Sequence, residues 1–435
     1  MKIVFLLHNV YAIGGTVRTT LNLAAALAEH GGHEVEIVSM SRHRESPRFA
    51  VDPRIALVPL VDTRAGSPDL RHPAYGKPSR DFPSAEKRYG QYTLLHDLRV
   101  REYLEDRCDA DVVFGTRPGI NVYLALWGPR RALRIAQEHL RHDAHSKKLR
   151  AQLKRSYREL DAIVTMTEAD AAVYRRRMPL PGVRVAAVPN IVPPAAVPPA
   201  DGTANVIAAA GRLAPGKRYD LLLEAFAAVA AKEPDWELRI YGGGPQEQRL
   251  RDLITGLGLT GRARLMGAVS PIEPEFAQAS IVVSASDAES FGMTLVEAMR
   301  CGVPVVSTDA PLGPAEIVTD GVDGLLVPVG DARALAEALV DLIEDAPGRT
   351  RMGAAALASA HRYDAGPIVE RYAALLTDLR ASRRRRAAER LRARATNWAR
   401  RKARSVRALL PGEPGGTPDD RRRHHTHGPA RPRLP

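Results

Sequence analysis

Two glutamates eight residues apart, Glu289 and Glu297, lie in the stretch Ser284-Ala-Ser-Asp-Ala-Glu289-Ser-Phe-Gly-Met-Thr-Leu-Val-Glu297-Ala-Met-Arg-Cys-Gly302. The apolar run Ile281-Val282-Val283 before them reads as a buried strand. Met293 to Arg300 reads as a helix stopped by Gly302, and Val303 to Val306 as the next strand. Glu289 therefore falls at the carboxyl end of a strand and Glu297 inside the helix that follows. That edge is where open α/β sheets bind their ligands. Gly292 permits a close backbone approach. The free N–H groups near Ser290 to Met293 suit a phosphate. Farther up the chain, Gly211-Arg212-Leu213 and Lys217 follow another strand and bring two cations to the same kind of edge.

Glu-x7-Glu behind a strand, with Phe291-Gly292-Met293-Thr294 between, resembles the donor site of retaining GT-B glycosyltransferases of the family 4 type. The resemblance covers roughly residues 1–380 and is strongest over 205–330. It implies that Glu289 holds hydroxyls of a donor sugar and Glu297 the nucleotide ribose. Backbone amides from Phe291 to Thr294 would meet the diphosphate, and Arg212 and Lys217 would neutralise the leaving group. Gly14-Gly15 matches the family's N-terminal glycine loop, facing the donor phosphate or the acceptor. His139, in Gln137-Glu138-His139, stands where the family often has a histidine near the reacting sugar. Arg18, in the first turn of the following helix, is a further candidate. One departure is visible: the family usually has glycine after the lysine, where this chain has Arg218.

The resemblance implies transfer of a hexose, with retention, from a nucleotide sugar, a UDP-sugar, to an acceptor hydroxyl. No metal and no cofactor is required on this reading, because protein cations replace the metal. Gly115-Thr-Arg-Pro-Gly119, Gln137-Glu138-His139 and Asp309-Ala-Pro-Leu-Gly-Pro-Ala-Glu316-Ile317 look like the branch that decorates cell-envelope polymers such as poly(glycerol phosphate). The acceptor is then a glycan, polymer or lipid-linked hydroxyl. Two alternatives stay open: a sugar-nucleotide epimerase on the same scaffold, and a non-catalytic basic-tail binding protein.

The elements that must position these residues form two α/β units. Lys2 to Leu7, Glu34 to Ser39, Asp111 to Phe114, Leu133 to Ala136, Ala162 to Met166 and Val185 to Pro189 read as strands of the first, with a helix from Thr19 to Glu29. Residues 43–90, rich in Pro and Arg, read as a long loop or lid with some short structure. The second unit alternates strands at Asn205–Ala210, Leu238–Tyr241, Ala263–Met266, Ile281–Ser284, Val303–Ser307 and Gly324–Val327 with helices. A GT-B arrangement follows: two Rossmann-like parallel-sheet domains facing across a cleft. The domains are 1–189 (acceptor side) and 205–365 (nucleotide sugar), joined by a Pro-rich linker at 190–204. A helix at 366–380 returns to the first domain, and 381–435 is a basic, partly disordered tail. Tyr241-Gly-Gly-Gly-Pro245 lacks the third small residue of a dinucleotide fingerprint and reads as a structural turn. Gly267-Ala268-Val269 would border the base.

Charge separates the partners. Residues 381–435 hold 17 Lys and Arg against 4 Asp and Glu, while the rest of the chain balances. Within that rest, residues 1–200 carry 30 basic and 21 acidic groups, and residues 201–380 carry 16 and 25. Arg141, Lys147, Lys148, Arg150, Lys154, Arg155 and Arg158 could form an acceptor or lipid-headgroup patch. The tail is read as a basic helix on an anionic membrane surface, in preference to a nucleic-acid binder. Only Cys108 and Cys301 are present, which favours a reducing compartment. No apolar run reaches the ~18 residues of a membrane span. The expected location is cytoplasmic, peripheral on the inner face of the membrane. Metal-ligand spacings are absent, and His424-His425-x-His427 is expected to bind nothing specific.

Overall fold

The computed structural model describes residues 1–409, which fold around two parallel sheets. The first sheet contains β1 (Lys2–Leu7), β2 (Glu34–Arg42), β3 (Ile55–Asp62), β4 (Val112–Gly115), β5 (Leu133–Glu138), β6 (Ala162–Thr165) and β7 (Arg184–Ala187), in the order β3-β2-β1-β4-β5-β6-β7. The second contains β8 (Val206–Ala210), β9 (Glu237–Tyr241), β10 (Ala263–Gly267), β11 (Ile281–Ser284), β12 (Val305–Thr308) and β13 (Gly324–Val327), in the order β10-β9-β8-β11-β12-β13. Near-continuous apolar runs such as Ile3 to Leu7 suit strands covered on both faces, and these five residues are buried. Phe5 stacks on Phe114 of the neighbouring strand at 4.9 Å between ring centroids.

Each sheet reverses its strand order once, between β1 and β4 and between β8 and β11. A crevice opens outside the carboxyl ends of the strands at such a point. His8 and Gly14-Gly15 follow β1, and Thr116-Arg117 follow β4. Gly211 to Lys217 follow β8, and Ser286 to Thr294 follow β11. Arg18, Arg212, Lys217, Glu289 and Glu297 thus follow strands at one of the two reversals, whereas His139 and the patch from Arg141 to Arg158 follow β5.

Three elements depart from the sequence reading. The short structure expected within 43–90 includes a full strand of the sheet, β3, paired to β2 in parallel register from Val35↔Ile55 to Arg42↔Asp62. Its remainder is pinned down. Ser79 Oγ donates to Asp97 at 2.5 Å, Tyr89 hydroxyl to the Ser79 carbonyl at 2.8 Å, and Phe82 stacks on Tyr92 at 3.7 Å. The first helix begins at Gly15, not Thr19.

The third departure is the tail. Arg383–Leu409 is a helix, and its first turns lie on the N-terminal domain. Arg386 donates to the Asp161 carboxylate at 2.8 Å, Arg390 to the Leu160 carbonyl at 2.6 Å and Arg394 to Glu159 at 2.5 Å. Arg386, Arg390 and Arg394 are therefore spent on internal contacts, whereas Arg384, Arg385 and Arg392 are exposed. The histidines at 424, 425 and 427 lie outside the described residues. Among the described residues no helix is long and apolar enough to cross a membrane.

The helix Ala365–Ala381 also packs on the first domain, where the Tyr372 hydroxyl accepts from Gln137 Nε2 at 2.7 Å. The chain crosses between domains near Val192 and near Asp364. Arg300 fastens both crossings, donating to the Val192 carbonyl at 2.8 Å and to Asp364 at 2.5 Å.

Candidate active site in the interdomain cleft

The two sides of the β8/β11 reversal are tied together. Lys217, from the β8 side, donates to Glu289 Oε1 at 2.5 Å; Ser286 Oγ, from the β11 side, donates to the same oxygen at 2.7 Å. The Asp287 amide donates to the Gly216 carbonyl at 3.0 Å, and Thr308 Oγ1 holds the Ser286 carbonyl at 2.7 Å. Glu289 is thereby fixed in one orientation with its second oxygen left over. Arg212 is exposed and makes no ion pair among the described residues. Two cations and one aligned carboxylate can neutralise a diphosphate while accepting hydrogen bonds from hydroxyls.

Gly292 caps the helix Met293–Arg300 with φ at 119°, a left-handed conformation that glycine alone adopts readily. The first-turn amides of Met293 and Thr294 accordingly point away from the helix and have no protein acceptor among the described residues. Phe291 packs inward, edge-on to Tyr363, so only its backbone can reach a ligand. Gly242 is needed for packing: a Cβ there would lie 1.9 Å from the Gly211 carbonyl oxygen. The Gly242–Gly244 turn thus braces the loop that carries Arg212, and Gly267, whose carbonyl accepts from the Gly242 amide at 2.7 Å, braces the turn.

Arg218 adopts φ 49°, ψ 43°, the left-handed conformation that the family's glycine would take without strain. Its guanidinium is held by Asp220 at 3.1 Å and Asp287 at 3.0 Å. Arginine thus occupies a left-handed position and makes two carboxylate contacts there.

Glu297 is buried and paired across the cleft. Arg18 of the first domain reaches Glu297 at 2.8 Å and Glu273 at 2.8 Å. Burial pushes the Glu297 carboxyl up to about 7; Arg18 opposes this and Glu273 adds to it. One guanidinium shared by two carboxylates cannot neutralise both. Sequence reasoning singled out Arg18 but missed Glu273, which precedes Glu297 by 24 residues and meets it only through the fold.

Gly14 and Gly15 face open space: a Cβ on either would meet nothing within 4 Å. His139 follows β5 directly and is half-buried, with Nε2 lacking a partner, and burial pushes its pKa down to about 4. It is neutral at pH 7, and no hydrogen bond joins it to the C-terminal residues among those described. The basic patch is mixed. Lys147 and Lys148 are exposed, whereas Arg150 turns back to the His145 carbonyl at 2.8 Å.

The N-terminal reversal carries residues that sequence reasoning did not select. Arg117 pairs with buried Glu86 at 2.6 Å, and Arg88 stands beside them with His8 Nε2 at 3.4 Å and Gln91 Oε1 at 2.9 Å. Their only sequence signal is the Arg-rich 43–90 segment and the turn Gly115-Thr-Arg-Pro-Gly119.

Comparison with known proteins agrees with this geometry. The family model "Glycosyl transferases group 1" matches residues 195–358, and "Glycosyltransferase Family 4" matches residues 13–196. An exopolysaccharide phosphotransferase of Streptomyces coelicolor is 36% identical over 406 residues, which is 90% of this chain but 42% of that protein. The poly(glycerol-phosphate) alpha-glucosyltransferase of Bacillus subtilis is 28% identical over 168 residues, 39% of this chain and 25% of its own. This chain therefore spans less than half of either curated relative. A TarM mutant of S. aureus, solved with Fondaparinux, alpha-GlcNAc-glycerol and UDP, superposes with a TM-score of 0.70 at 15% identity, covering 86% of this chain and 100% of that one. With both sheets, both reversals and both family matches in place, the chain belongs to the group 1 glycosyltransferases of GT-B architecture.

Proposed function

We propose that the protein transfers a hexose from a nucleotide sugar, a UDP-sugar, to a hydroxyl of a cell-envelope glycan, polymer or lipid-linked acceptor, with retention of anomeric configuration. The observation that carries this reading is the Lys217–Glu289 pair, with unpaired Arg212 beside it, at the β8/β11 reversal. On this reading Glu289 receives sugar hydroxyls and Glu297 receives the ribose. The amides of Met293 and Thr294 meet the diphosphate, and the glycines at 14 and 15 leave room for it from the opposite domain. Negative charge grows on the leaving phosphate as the anomeric bond lengthens. Arg212, Lys217 and the helix amino end stabilise that charge without a metal ion. The leaving phosphate takes the acceptor proton on the same face of the sugar. Neutral His139 can accept a hydrogen bond from a sugar or acceptor hydroxyl.

The acceptor class is supported by the names of the relatives, and the UDP donor by the UDP bound in the TarM structure. The name of the Streptomyces relative raises a second bond for cleavage. Glycosyl transfer breaks the anomeric C–O bond and releases UDP. Transfer of a sugar phosphate breaks the pyrophosphate and releases UMP. Product analysis with a panel of UDP-, GDP- and ADP-sugars decides between them. Acceptor-dependent UDP release with a retained anomer is the expected outcome. UMP release, or an isomerised sugar nucleotide, would overturn the proposal.

A further inference from the structure

The N-terminal reversal has the makings of a second anion site. Arg117 is fixed by a two-point contact with buried Glu86, at 2.6 Å and 3.4 Å. The same carboxylate accepts from the Arg88 amide at 3.3 Å, which seats the turn carrying Arg88. Tyr92 anchors that turn from below: its ring stacks on Phe82, and its hydroxyl meets His8 Nδ1 at 2.8 Å. Glu86 offsets one positive charge and leaves the other. Arg88 is half-buried, makes no ion pair among the described residues, and touches only the neutral partners His8 and Gln91.

Two guanidiniums thus share one buried carboxylate, and a half-buried cation left under-compensated is costly unless a further anion completes it. Burial first, then the charge of Arg117, lowers the Arg88 pKa; Tyr92 and Glu86 oppose this, and Arg212 from the facing domain adds to it. Arg88 and Arg212, neither in an ion pair among the described residues, stand near enough across the cleft to feel each other's charge. Arg212 is assigned to the donor diphosphate. Arg88 belongs to the N-terminal domain, where its backbone amide is held by Glu86 at 3.3 Å, and it is assigned here to a separate anion.

We infer that Arg88, supported by Arg117, recognises a phosphate group carried by the acceptor, making the acceptor a phosphorylated one such as a phosphodiester polymer or phosphorylated glycan. This rests on the assignment of the facing crevice to the nucleotide sugar. It goes further by naming the residue that reads the acceptor's phosphate.

The test is calorimetric titration of the full chain, first with UDP and then, on the UDP-saturated protein, with glycerol 3-phosphate and with glycerol. Wild-type protein should bind glycerol 3-phosphate and not glycerol. Arg88→Gln should weaken glycerol 3-phosphate at least ~10-fold, the loss of one charge-assisted contact, and leave UDP affinity within about twofold. A parallel loss of UDP affinity would place Arg88 on the donor diphosphate and overturn the inference. UDP binding without glycerol 3-phosphate binding, or glycerol 3-phosphate binding unaffected by Arg88→Gln, overturns it while sparing the donor reading. Absence of UDP binding to the wild-type chain overturns both.

Discussion

Arg18 of the first domain and Glu297 of the second meet at 2.8 Å, in the place where the proposed nucleotide ribose would sit. The contact joins the domains in the free protein and must yield or rearrange when a donor enters. With its carboxyl near pH 7, Glu297 is half-protonated at neutrality. Affinity for an intact UDP-sugar should therefore rise from pH 6 to pH 8 as the carboxylate forms and accepts ribose hydroxyls. Glu297→Gln should flatten that profile. Arg18→Gln should move its midpoint above 7, because Arg18 lowers the Glu297 pKa. Fold stability runs the other way. A raised carboxyl pKa gives stability that is present below the unfolded value of ~4.5 and is lost as pH climbs through about 7. A titration of binding against pH, set beside thermal unfolding over the same range, checks both signs.

Lys217→Met should lower turnover roughly 10²–10³-fold, the usual cost of removing one group that meets developing charge. Glu289→Gln should lower it comparably, because the pair acts as a unit. The double variant should then lose much less than the product of the two. Steady-state rates on the four proteins form the cycle, and strict multiplicativity would show that the two side chains act independently.

Arg218→Gly tests the departure from the family pattern. Glycine relieves about 1 kcal/mol of left-handed strain, yet releases Asp220 and Asp287. Exposed pairs of this kind contribute ~0.2–1 kcal/mol each. The two effects nearly cancel, so the melting temperature should move little while the loop carrying Lys217 loosens. Hydrogen exchange at Gly216 and Asp287, whose backbones bond at 3.0 Å, reads that loosening.

The C-terminal helix should prove part of the fold. Removing the residues from Ser382 onward strips Arg386 and Arg390 from Asp161, a carboxylate nine-tenths buried. Burial raises its pKa, but the Arg134 amide and those two arginines outweigh it and hold the pKa below its ordinary value. The stability this gives is present above the unfolded pKa and is lost as pH falls through the folded one. Truncation before Ser382 should cost roughly 1–3 kcal/mol and blunt that acid sensitivity.

The second sheet was readable because each strand is a short apolar run ended by glycine or a polar turn, with a helix following. Its reversal was readable because Glu289, Gly292 and Lys217 have types that such an edge requires. β3 was not, and Pro59 explains why. Proline in Ile55-Ala-Leu-Val-Pro-Leu-Val-Asp62 argues against a central strand, but β3 lies at the sheet edge, where the missing N–H is tolerated. The helix itself was read, but its docking escaped notice because arginine excess reads as solvent exposure. Its signal was the four-residue spacing of Arg386, Arg390 and Arg394, which puts them on one face. Glu273, Arg88 and Glu86 could not be found by spacing at all, since each acquires its partner only when distant segments meet.

Arg300 has a mechanical consequence. The chain passes between the domains twice, and this one buried guanidinium grips both passages, with the Val192 amide also bonded to the Tyr363 carbonyl at 3.1 Å. Two tethers clamped at one spot leave neither sliding nor separation as an easy motion, only pivoting. The cleft must then gape at the end away from the clamp, on an arc that parts Arg18 from Glu297 and Glu316 from the amides of Glu168 and Ala169 that it caps at 2.9 and 2.7 Å. These contacts act as the catches of a gate whose pin is Arg300, and their strength sets how often donor and product can pass.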